Sequence, residues 1–171
     1  MNRLGTASSV VLLMALAAAS VSAQRVRLDD SLSPTQSYAV ELSWSSGDIN
    51  RALNALMAGA SDAGPPLTGR IANVEVRLDT RDFVGESARI YLALPTLISG
   101  LETSAGLELR WDASDRFVSG AVRPGQSTLV FDGTIDGPVT SAVFGFLLVL
   151  EDPTDADFFE VEPTYELEVL P

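Results

Sequence analysis

The amino-acid sequence predicts an all-β fold, an antiparallel two-layer sandwich (Ig-like or jelly-roll-like) of about eight strands with one short α-helix. Three observations predict it. Apolar residues recur at every second position through most of the chain beyond residue 70. Short periodic segments alternate with Gly, Pro, Asp and Ser at near-regular spacing. One run, 142–150, holds nine apolar or glycine residues without a charge, as a strand covered on both faces would. A small barrel is the alternative closure of the same strands.

Taken in order, the chain begins with a leader. Arg3 supplies a positive start, 10–19 an apolar stretch, and Val21-Ser22-Ala23 a small-residue ending, which is the pattern of a secretory signal cleaved after Ala23. The apolar stretch is shorter than the roughly 20 residues that span a bilayer. The expected mature chain is therefore 24–171, periplasmic or secreted, with no transmembrane segment after cleavage. Residues 24–36 read as an extension or a short first strand, and 37–171 as one sandwich domain.

Tyr38, Val40, Leu42 and Trp44 alternate with polar neighbours and predict a strand. At Asp48 the period changes. Ile49, Ala52, Leu53, Leu56 and Met57 fall on one helical face behind an Asp N-cap, and Gly59 can end the turn, so 48–58 reads as a helix. Gly64-Pro65-Pro66 marks a loop. Then Ala72, Val74, Val76 and Leu78 alternate, followed by Ala88, Ile90, Leu92 and Leu94 up to Pro95. Leu101, Ala105, Leu107, Leu109 and Trp111 form the next row, 117–122 and 129–131 two short strands. The chain closes with an expected hairpin over 139–171, its second arm alternating Phe159, Val161, Tyr165, Leu167 and Val169 with glutamates.

The net charge is −12, and every one of the 11 basic residues is arginine. Residues 124–171 hold ten acids and no base. A chain this acidic disfavours nucleic acid and anionic membrane, so no nucleic-acid partner is expected; a protein or polysaccharide of the envelope remains. Arg77, Arg89 and Arg110 lie on polar strand faces, where they are expected to oppose glutamates of the last strand.

The residue types that are missing limit the chemistry. Without His or Cys there is no Ser-His-Asp or Cys-His relay, no thiolate zinc site and no redox pair. Without Lys there is no Schiff base. Carboxylate pairs remain, as in glycoside hydrolysis. The densest acidic group is Asp152, Asp155, Asp157 and Glu160, candidate calcium ligands on a turn, read against a plain acidic hairpin tip. No other cofactor is expected. Trp44 and Trp111 end apolar rows and are expected in the core, while Tyr91 falls on a polar face and offers a sugar platform. Residues 25–28 could lend a strand to a neighbour, though they carry few apolar residues.

The expectation is an exported, non-catalytic structural or binding protein of the bacterial cell envelope. A calcium-stabilised or carbohydrate-binding module is the alternative, and a carboxylate-pair hydrolase stands last.

Overall fold

The structure is a computed structural model, and it describes residues 24–35, 37–44, 57, 66–101, 104, 106–151 and 158–171. Eight strands occur among them: β1 (Arg25–Arg27), β2 (Leu67–Asp79), β3 (Ser87–Ala93), β4 (Leu107–Ala113), β5 (Gly120–Val122), β6 (Ser127–Thr134), β7 (Val139–Leu150) and β8 (Thr164–Val169). They form two four-stranded sheets, ordered β1-β8-β3-β6 and β2-β7-β4-β5, and every pairing is antiparallel. This is the expected all-β sandwich. The helix expected over 48–58 lies outside the described residues, apart from the exposed Met57.

The uncharged run places β7 in the middle of the second sheet, between β2 and β4. Its even residues Ala142, Phe144 and Phe146 are buried against the first sheet. On the other side Val139 and Val143 stay exposed, so the second face of this strand is only partly covered. The first sheet answers with Ala88, Ile90 and Leu92 of β3, and with Tyr165 and Leu167 of β8. Phe144 is the hub, with ring centroids of Phe117, Phe146 and Tyr165 at 5.7, 5.5 and 6.5 Å. Burial of such side chains contributes roughly 1.5–3 kcal/mol each and, without a cysteine to staple the fold, sets its stability.

The expected C-terminal hairpin does not form. Both edges of β7 are already paired, so the chain crosses over and β8 joins the other sheet between β1 and β3. The strand expected over 38–44 is reduced to one bridge, Ser43 to Thr68, while Val40 and Leu42 press onto Gly69, where a Cβ would lie 2.5 Å from Val40. The row through Leu101 also starts late, since β4 begins at Leu107. Likewise Phe117 is a buried loop residue ahead of the three-residue β5.

One more correction concerns β2. Its register on β7 jumps between Ile71 and Val74, so Ala72 and Asn73 together face Gly145. Asn73 takes φ 58, a left-handed value that Asn tolerates better than most residues. The bulge reverses the alternation, and Ala72 points out to solvent instead of joining Val74, Val76 and Leu78 inside.

Hydrogen bonds tie the flanks of the two layers together. Val118 N–H donates to the Val130 carbonyl at 2.8 Å, and the Thr128 hydroxyl to Ala121 at 2.8 Å. Opposite them, Asp79 N–H reaches the Asp29 carbonyl at 2.8 Å and Arg77 N–H the Ser33 hydroxyl at 2.9 Å. At one corner the buried Thr80 hydroxyl lies 2.9 Å from the Gly137 carbonyl and 3.0 Å from the Thr140 hydroxyl. No buried side-chain polar atom among the described residues lacks a partner.

Candidate functional site

The two outer faces differ in how they use their charges. Across the first sheet the register aligns Arg25, Glu168, Arg89 and Asp132, one from each strand, in alternating sign. Arg89 bonds Asp132 at 2.9 Å rather than the glutamate opposite it. Arg25 lies 3.6 Å from both Glu166 and Glu168 and donates to the Ser127 hydroxyl at 2.7 Å. Its guanidinium stacks 3.6 Å above the centre of the Tyr91 ring. Tyr91 is thus on the polar face, as expected, but its ring is covered and offers no open sugar platform. The N-terminal strand, the candidate for pairing with a neighbour, is paired with β8 of its own chain.

On the second sheet, Arg77 and Arg110 do not meet the glutamates of β8, which belong to the other layer. Each turns to the acid two residues back on its own strand, Arg77 to Glu75 and Arg110 to Glu108. Glu108 also takes Arg123 at 3.0 Å, and Arg123 reaches Glu151 at 3.8 Å.

Between these pairs lies an open depression of about 350 Å³ on the outer face. Register puts Arg70 of β2, Leu147 of β7 and Arg110 of β4 in one row, and Gly145 beside Asp112 in the next. Gly145 is the floor. A Cβ there would meet nothing within 4 Å, so the space above the strand is open. Trp111, Ser119 and Gly120 complete the lining. Trp111 itself is buried, at 3% exposure, with its indole N–H on the Val118 carbonyl at 2.8 Å. Trp44 is 51% exposed, against the expectation of a core position.

Seven of the nine described arginines make an ion pair within the chain. Arg27 and Arg70 make none among the described residues, and neither does Asp112. One of these two arginines, Arg70, and the carboxylate Asp112, opposite in sign, line the same depression. Chemically the arrangement offers a guanidinium fork for an anion, an acceptor carboxylate, and an apolar shoulder in Leu147.

Of the candidate calcium ligands, Asp152, Asp155 and Asp157 lie outside the described residues. Glu160 is exposed, with its backbone N–H held by the Ser99 carbonyl at 2.9 Å. Among the described residues no three acids come together as a metal cluster would require. No helix among them is long and apolar enough to cross a membrane. Compared with family models, curated proteins and solved structures, the chain matches none.

The ion pairs also fix a pH dependence. The hydrogen bond from Arg110 holds the Glu108 carboxyl below its ordinary 4.5. Asp29 is held below 3.8 by the Ser31 N–H, and Asp79 by Arg81. A carboxyl whose folded value is depressed contributes stability above its unfolded value and loses it as the pH falls through the folded one. The melting temperature is therefore expected to hold at neutral pH and to fall below about pH 4.5. In Glu108→Gln the drop between pH 7 and pH 3 should be smaller than in the wild type. Parallel curves for the two proteins would show that Glu108 is not held in this way.

Proposed function

We propose that this chain is an exported, non-catalytic binding protein of the bacterial cell envelope, and that it presents the outer face of the second sheet to its ligand. The observation that carries the reading is the contrast between the faces. The first sheet pairs Arg25 and Arg89 within its own ladder and covers Tyr91. The second leaves Arg70 and Asp112 without an ion pair among the described residues, around a glycine-floored depression. The leader argues for export, and the absence of His, Cys and Lys argues for binding over turnover.

The test is co-sedimentation of the mature chain with isolated envelope material, beside a Gly145→Trp variant. A Cβ at Gly145 meets nothing within 4 Å, and the depression above it gives the indole a place outside the core. Wild type should sediment with the envelope and the variant should remain in solution with an unchanged melting temperature. Equal sedimentation of the two would remove the second sheet from the reading. Release of any cleaved product from the envelope material would remove the word non-catalytic.

A further inference from the structure

Building on that reading, we infer that the Gly145 depression takes an acidic sugar, a pyranose ring carrying a carboxylate within an envelope polysaccharide. The lining of the depression points to this chemistry. Arg70 and Arg110 stand in one row on either side of Leu147, and strand spacing puts their backbones about 10 Å apart. A carboxylate held from that row meets two planar forks, which bind it through paired N–H donors. Arg70 brings a charge with no internal competitor among the described residues. Arg110 spends its Nε on Glu108, which leaves its terminal N–H groups to donate.

The body of the ligand is specified by the next row. Gly145 has no side chain, so a flat ring can lie directly on the strand, with its apolar face against Leu147. Asp112 is an acceptor for sugar hydroxyls. Ser119 accepts the Ala113 N–H at 3.0 Å, which leaves its own O–H to donate. The depression is open rather than enclosed, which suits one residue of a polymer lying across the strands.

Net charge does not forbid a polyanion here. The glutamates of β8 belong to the first sheet, on the far side of the core, and Arg25 neutralises part of them. At physiological salt their field is screened within roughly 8 Å. Among the charged residues that line the depression, Arg70 and Arg110 stand against Asp112 alone.

The experiment uses Trp111, which lines the depression, as its reporter. A Trp44→Phe chain removes the second indole. Titration with an oligogalacturonate should shift the remaining emission and saturate. Arg70→Ala, in that background, should weaken binding by about tenfold or more. Arg27→Ala, which removes the other described arginine without an ion pair among the described residues, on the opposite sheet, should leave it unchanged. Arg70→Lys should recover only part of the affinity, because an ammonium cannot grip a carboxylate with two coplanar donors.

Other results overturn the inference in recognisable ways. Equal binding of a neutral oligosaccharide of the same length would remove the carboxylate while leaving a sugar site. Equal binding of polyglutamate would make the ligand an acidic peptide. If none of the three binds while the chain still sediments with envelope material, the acidic sugar is wrong and the binding role stands. If nothing binds and nothing sediments, both fall.

Discussion

Phe144→Ala is expected to lower the stability of the sandwich domain by roughly 3–5 kcal/mol, the range for emptying an aromatic site in a packed core. Phe144 is 1% exposed and touches rings contributed by a loop, by its own strand and by the opposite sheet. Removing it therefore loosens the contact between the layers and not only one side of it. A domain of this size has about 5–15 kcal/mol in total. The midpoint of thermal unfolding should drop by about 10 °C or more. Val143→Ala, one residue earlier on the outer face, should change stability by about 0.5 kcal/mol or less. Urea melts of the three proteins, followed by tryptophan emission, check both numbers. Comparable losses at 143 and 144 would mean that β7 does not present the faces described here.

That pair of neighbours shows why much of the fold was legible. Two-residue alternation assigns every residue of a strand to a face, and burial then follows from hydrophobicity alone. Ala142, Phe144 and Phe146, or Ile90 and Leu92, needed no more than that. What alternation does not carry is which strand lies beside which. The run 142–150 and the row 165–169 have complementary patterns and a turn between them, which is a hairpin by local rules. Only the prior pairing of β7 with both β2 and β4 sends β8 to the other layer. The bulge at Ala72 and Asn73 was hidden for a related reason. Its residues continue an unbroken alternating row, and the reversal exists only in the register against β7.

The candidate site divides along the same line. Elimination of His, Cys and Lys chemistry was available from composition. The acidic turn drew the eye because its residues are adjacent in sequence. Arg70, Asp112 and Gly145 are drawn from three strands, and lateral register alone brings them together. A hint was present in that Gly145 interrupts an otherwise bulky run, since a glycine inside a strand marks a place where something approaches the backbone. Sequence also missed the reach of Arg25 across Tyr91, because a strand of three residues gave no periodicity to read.

Shortening the 24–171 chain to begin at Asp29 is expected to destabilise it nearly as much as the core substitution. Leu28, 5% exposed, leaves the core, a loss of roughly 1.5–3 kcal/mol. With it goes the Leu28 N–H bond to the Tyr165 carbonyl at 2.8 Å. The Arg25 stack on Tyr91 adds about 0.5–2 kcal/mol, and Glu166 and Glu168 are left side by side without that cation. The truncation also bares the edge of β8, a row of unpaired backbone groups with alternating apolar residues behind it. The shortened chain should therefore melt lower and associate more strongly than the 24–171 chain at equal concentration, as sedimentation would show. Arg25→Ala should reproduce part of the lost stability without the association, because it keeps the backbone of β1 on the sheet. A truncated chain that melts like its parent and stays monomeric would mean that residues 24–28 are an appendage and not the fourth strand of the first sheet.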